Sequence, residues 1–201
     1  GELRQLQLGV AQFVADVRAS LPLSDIQFGL VSFKDYPSIY ASCGYSKRYS
    51  LVGDEPFVVE APIGSSDLEV LDAIAALTTG GGQDLPEAYG RVLWELTQPD
   101  SGILYRRNSA HFILLVGDSV PHDCDVGFGI SSCLQHTSTG IDPGRDGLIG
   151  SFDDLDFQDV VLRALLESRT SVLTIFSSSF GVCAWERWTD ITGGVALQAS
   201  R

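Results

Sequence analysis

The chain has 201 residues, of which 44% are hydrophobic and 19% charged, enough to bury a core as a single domain. Thirteen Lys and Arg against 26 Asp and Glu give a net charge of −13, which speaks against nucleic-acid binding and against docking on anionic lipid. No apolar run approaches the roughly 20 residues that span a bilayer. The opening, GELRQLQLGV, lacks the pattern of a signal peptide, and a first residue of Gly1 rather than Met indicates a processed or excised piece.

The first half of the chain alternates helical and extended patterns. Ser66 and Glu69 form a capping box ahead of the second helix, and Pro86 is predicted to be the first residue of the third. The predicted elements are a helix over 3–18, a strand over 26–33, an edge strand over 49–60, a helix from 66 to about 77, a glycine-rich loop over 78–85 and a helix over 86–96.

The second half continues the alternation. Residues 111–116 (HFILLV) form an apolar run typical of a parallel strand covered on both faces. The strand–helix alternation predicts an α/β fold with helices flanking a mostly parallel sheet. The remaining predicted elements are a long polar loop insertion over about 119–153, a helix over 155–166, a strand over 172–176, a helix over 184–191 and a strand over 195–199.

The four cysteines lie in predicted loops, and an even number there favours disulfides and an oxidising compartment. Cys124 and Cys133 are nine residues apart in one loop, so we expect them to bond to each other, and Cys43 could meet Cys183. Four free thiols in a cytosolic protein are the alternative. The spacings include no CxxC, which speaks against zinc.

Acidic residues follow the predicted strands: Asp35 after the first, Asp84 and Glu87 in and beyond the glycine-rich loop, and Asp118 after the 111–116 strand. Ligands of open α/β sheets bind at the carboxyl ends of the strands. Oxygen donors alone select Mg²⁺, Ca²⁺ or Mn²⁺ over zinc or copper. The alternative is that these acids are solvated loop residues of an acidic protein.

Three segments, FGLVSFKDYP (28–37), GGGQDLPEAYGRVL (80–93) and FILLVGDSVPH (112–122), resemble a von Willebrand factor A domain, most closely the I-like domain of integrin β subunits and its bacterial relatives. The resemblance covers nearly the whole chain. It implies a doubly wound sandwich and a metal-ion-dependent adhesion site built from three loops. The first of those loops, Asp-x-Ser/Thr-x-Ser, and the central strand before it are absent from this sequence, so we expect the sheet to lack its first strand.

The same resemblance implies the metal ligands. Glu87 and Asp118 match the acids of the second and third loops. Asp35, Asp84, the carbonyl of Pro86 and a shared Glu87 match an adjacent calcium site, although Gly82 stands where the family has Asn. Glu2 resembles one acid of a third site, with Gly1 in place of its partner.

The implied function is an extracellular, non-enzymatic adhesion module whose bound Mg²⁺ or Ca²⁺ (or Mn²⁺) takes a carboxylate from a protein partner. An intracellular scaffold domain of the chelatase or AAA-associated type, without disulfides, is the alternative. A hydrolase built on Ser119 and His122 is disfavoured because no G-x-S-x-G elbow exists.

Overall fold

The protein is mixed α/β, with short helices packed around open sheets. The computed structural model describes residues 2–37, 52–82, 86–122, 141–177 and 181–199. The elements are α1 (Glu2–Ser20), β1 (Leu30–Ser32), β2 (Val58–Ala61), α2 (Asp67–Ala76), α3 (Tyr89–Glu95), β3 (His111–Gly117), β4 (Ile141–Asp142), β5 (Leu155–Asp156), a π-helical turn (Phe157–Leu162) that continues into α4 (Arg163–Glu167), β6 (Thr170–Phe176), α5 (Val182–Ile191) and β7 (Val195–Gln198).

The first helices pack on an antiparallel hairpin formed by β1 and β2. The predicted capping box is confirmed: the Ser66 hydroxyl accepts from the Glu69 N–H, and the Glu69 carboxylate accepts from the Ser66 N–H. Arg18 ties α1 to α2 through a two-pronged ion pair with Asp67, both N···O distances being 2.6 Å. An ion pair at the surface therefore joins the two helices.

A three-stranded parallel sheet, in the order β3–β6–β7, forms the centre of the second half. One face of this sheet is buried: Ile113 and Leu115 of β3 pack with Val172 and Phe176 of β6 in the main core. Helix α5 covers that face with Trp185 and Trp188, which are 1% and 2% exposed. The carboxyl ends of β3 and β6 consequently lie at one edge, as the alternating pattern predicts.

The opposite face of the same sheet is open, against the prediction that the apolar 111–116 run is covered on both sides. Phe112 and Leu114 are 62% and 38% exposed, and Val195 and Leu197 of β7 are 45% and 54% exposed. Among the described strands, β3 pairs with β6 alone, and the hairpin forms a separate sheet. An apolar run predicts burial, but alternate residues of a strand can be covered only where another layer packs on them.

The third helix begins three residues later than predicted. Pro86 and Glu87 are not helical; Glu87 instead forms an isolated parallel bridge with Pro121. The Glu87 N–H donates to the Val120 carbonyl at 2.9 Å, and its carbonyl accepts from the His122 N–H at 3.1 Å. Pairing with the loop after β3 fixes Glu87 in an extended segment, so α3 starts at Tyr89.

Part of the long loop insertion is attached to the core by strand pairing and burial. Its described portion contains β4, which pairs with β5 just beyond the insertion, and Asp142 of β4 is 1% exposed. Within the described residues no helix is both long and apolar enough to cross a membrane.

Cys183, at the start of α5, is disulfide-bonded. Its partner, like the predicted Cys124–Cys133 bond, lies outside the described residues.

Candidate functional site

The loop after β3 and the segment before α3 meet at the carboxyl edge of the sheet. The Glu87–Pro121 bridge joins them, so the two loops that carry the predicted ligands Glu87 and Asp118 share backbone hydrogen bonds. Glu87 is half-buried and Asp118 is exposed. Pro86, whose carbonyl was a predicted ligand, is buried beside them.

Tyr89 lies beneath both of these acids. Its hydroxyl accepts from the Asp118 backbone N–H at 3.2 Å, and its ring packs edge-on against Phe33 and Trp185. Burial raises the pKa of this hydroxyl, the Asp118 N–H acts in the opposite direction, and the carboxylates of Asp118 and Glu87 add to the rise. The backbones of the two acids meet beside this hydroxyl, since Glu87 is bridged to Pro121 and the Asp118 N–H donates to Tyr89.

The glycine-rich loop approaches Glu87 closely. A Cβ on Gly82, which has φ +64°, would lie 3.4 Å from Glu87 Oε1. The Gly82 N–H donates to Asp54 at 3.4 Å, and Asp54, 4% exposed, pairs with Lys34 at 3.3 Å. The sequence analysis missed Asp54 because that residue falls inside the predicted edge strand 49–60. The neighbouring Gly53 and Pro56 were the available sign of a turn.

Asp35, a predicted ligand of the calcium site, is fully buried. Its Oδ1 lies 2.7 Å from His122 Nε2 and accepts from the Tyr36 N–H at 2.8 Å. The His122 side chain is 0% exposed as well. This carboxylate is held by a histidine and a backbone amide, the kind of hydrogen-bond partners that a buried polar group requires.

A second buried group of polar side chains joins the loop insertion to α3. The Tyr36 hydroxyl donates to Asp142 at 2.7 Å, and Arg91 pairs with Asp153 at 2.7 Å. Arg91 is only 3% exposed and also acts on Asp142 and Tyr36. The insertion is therefore anchored by charge-assisted hydrogen bonds next to the segment that carries Asp35.

The structure brings only part of the predicted ligand set together. The segments that carry Glu87 and Asp118 are bridged, whereas Asp35 binds His122; Asp84 lies outside the described residues, and Glu2 is the first residue of α1. In the described ranges, no three His, Cys, Asp or Glu side chains form a group that could hold a metal ion. The two bridged segments supply carboxylate oxygens, and Mg²⁺ is bound in many proteins by only one or two carboxylates together with waters.

We expect Asp142→Asn to change how stability depends on pH. Burial raises the pKa of Asp142 above its ordinary value of 3.8, while the charge of His122, the hydrogen bonds from Tyr36 and Gly144, and the charge of Arg91 act against the rise. The folded state therefore binds this proton more tightly than the unfolded state. The stabilisation is fully present below pH 3.8 and is lost as pH rises through the folded-state value.

Urea unfolding at a series of pH values measures this effect. The free energy of unfolding of the wild type minus that of Asp142→Asn should fall as pH rises above about 4. Asp146→Asn, at an exposed acid of the same loop, is the control and should show no such trend. A difference that stays constant or grows with pH would contradict the assignment.

Comparison with known proteins identifies no family for the chain. No protein-family profile matches it, and no relative was found among curated proteins.

Proposed function

We propose that the chain is an extracellular, non-enzymatic interaction domain of the von Willebrand factor A type, which binds a partner's carboxylate through a divalent cation. The observation that carries the proposal is that the segments bearing Glu87 and Asp118 meet at the carboxyl edge of the parallel sheet: the Glu87–Pro121 bridge joins them, and the Asp118 N–H donates to the Tyr89 hydroxyl. The resemblance of the segments 28–37, 80–93 and 112–122 to integrin β domains gives the same two acids as ligands.

The charge of the chain makes a cation useful for this role. With a net charge of −13, the protein repels an acidic partner unless a positive centre lies between the two. Glu87 and Asp118 would hold Mg²⁺, Ca²⁺ or Mn²⁺, and the bound ion would supply the positive charge that a partner carboxylate completes. Glu87 is fixed for this role by its backbone bridge to Pro121.

The disulfide at Cys183 supports an oxidising compartment, since structural disulfides persist in secreted and cell-surface proteins. An intracellular scaffold domain of the chelatase type is expected to lack disulfides. The doubly wound arrangement implied by the family would further require the β1–β2 hairpin and the β3–β6–β7 sheet to belong to one sheet, with another strand between β1 and β3.

Calorimetric titration with Mg²⁺, Ca²⁺ and Mn²⁺ tests the proposal directly. At least one ion should bind, and Glu87→Gln should weaken its affinity by about 100-fold or more, because even residues that only orient ligands are worth 10–100-fold. Glu167→Gln, at an exposed acid at the end of α4, is the matched control and should leave the affinity unchanged.

Two results would overturn the proposal: no heat with any of the three ions, or equal affinity in the wild type and Glu87→Gln. The first would leave the protein as a metal-free scaffold, and the second would place the bound ion away from Glu87.

A further inference from the structure

Two aromatic side chains form hydrogen bonds with the backbone of the loop that carries Asp118. Tyr89 of α3 accepts the Asp118 N–H at its hydroxyl, 3.2 Å away, and Trp185 of α5 donates its indole N–H to the Ser119 carbonyl at 2.8 Å. The rings of Tyr89 and Trp185 contact each other edge-on, with centroids 5.5 Å apart. Two backbone groups of consecutive residues in the loop are therefore bound to one aromatic pair.

The backbone before Asp118 is shaped around the Tyr89 hydroxyl. A Cβ on Gly117 would overlap Tyr89 Oη, so the close approach depends on glycine at that position. Tyr89 itself is 2% exposed and is enclosed by Phe33, Phe176 and Trp185. Since the enclosed Tyr89 ring has no room to move, its hydroxyl provides a fixed acceptor for the Asp118 N–H.

We propose that Tyr89 is a positioning residue of the cation site: its hydroxyl orients the Asp118 backbone, and with it the Asp118 carboxylate, on the same loop to which Glu87 is bridged. This inference rests on the proposed function. It assigns the hydroxyl a role that a core aromatic residue does not have, because packing alone would be served equally well by phenylalanine.

Tyr89→Phe removes the hydroxyl and keeps the ring. Tyr105→Phe is the matched control: Tyr105 is a partly buried tyrosine that stacks on His111 at the amino end of β3, away from Asp118. Two quantities are measured in the intact chain: the hydrogen-exchange rate of the Asp118 amide by NMR without metal, and the Mn²⁺ dissociation constant by calorimetry.

In Tyr89→Phe we expect the Asp118 amide to exchange about 10-fold faster and the Mn²⁺ dissociation constant to rise about 10-fold, the lower end of the 10–100-fold typical for residues that orient metal ligands. Tyr105→Phe should change neither quantity. The exchange rate tests whether the hydrogen bond exists, and the dissociation constant tests whether that bond contributes to cation binding.

Equal Mn²⁺ affinity in the wild type and Tyr89→Phe would overturn this inference and leave the proposed function standing. Absence of Mn²⁺ binding in the wild type would overturn this inference, and absence of Mg²⁺ and Ca²⁺ binding as well would overturn the proposed function. A Tyr89→Phe chain that fails to fold would also overturn the inference, because the hydroxyl would then serve the core rather than the site.

Discussion

Replacing Arg91 with methionine should lower the free energy of unfolding by about 3–5 kcal/mol, the usual cost of removing one partner from a buried ion pair. The Arg91 guanidinium binds both the carboxylate and the backbone carbonyl of Asp153, at 2.7 and 2.6 Å. It also acts on Asp142 and Tyr36. Methionine fills the space of the aliphatic stem but leaves two buried or nearly buried carboxylates without this compensating charge.

Urea unfolding at neutral pH measures the loss. Arg145→Met is the matched control: Arg145 also pairs with an acid, Glu95, at 2.8 Å, but its side chain is 42% exposed. Solvent screens such a pair, so its removal should cost about 0–1 kcal/mol. Similar losses in the two variants would show that burial of the Arg91 network contributes nothing beyond a surface ion pair.

Gly194→Ala should destabilise the protein by about 3 kcal/mol, at the upper end of the range for overpacking. Gly194 lies just before β7, and a Cβ there would overlap the backbone carbonyl of Val172 in β6. Backbone atoms inside a parallel ladder cannot rotate away as a side chain can. The substitution therefore has to separate β7 from β6 or shift their register.

Gly9→Ala is a control for which we expect the stability to change in the opposite direction. Gly9 is in the middle of α1, and a Cβ there has no atom within 4 Å. Alanine is the better helix former by about 0.5–1 kcal/mol, so this variant should be more stable than the wild type. Thermal unfolding of both variants tests the pair, and a neutral or stabilising Gly194→Ala would contradict the described packing of β7.

Elements with strong local signals could be predicted from the sequence. The capping box at Ser66 and Glu69 begins α2 where expected, because its two hydrogen bonds involve residues only three apart. The apolar runs at 111–116 and 172–176 became the paired strands β3 and β6. The carboxyl edge of that sheet, and with it the neighbourhood of Glu87 and Asp118, follows from the alternation of strands and helices.

What the sequence could not supply is pairing between distant segments. Pro86 carries a strong local signal for a helix start, but the bridge between Glu87 and Pro121, 34 residues away, prevails. Asp35 has a carboxylate of the kind that binds metals, and nothing in the sequence indicated its contact with His122, 87 residues away. Tyr89 has the pattern of an ordinary core aromatic residue, and only the tertiary structure brings its hydroxyl to the Asp118 amide.

The open face of the β3–β6–β7 sheet has a consequence for how the isolated 201-residue chain behaves in solution. Phe112 and Leu197 are more than half exposed on this face. Association of two molecules through it would bury this apolar surface and is therefore favourable. The net charge of −13 opposes such contacts at neutral pH and low salt. Colloidal stability of the chain therefore depends on long-range repulsion, and we expect it to decline in concentrated salt, where the screening length shrinks to about 3 Å at 1 M.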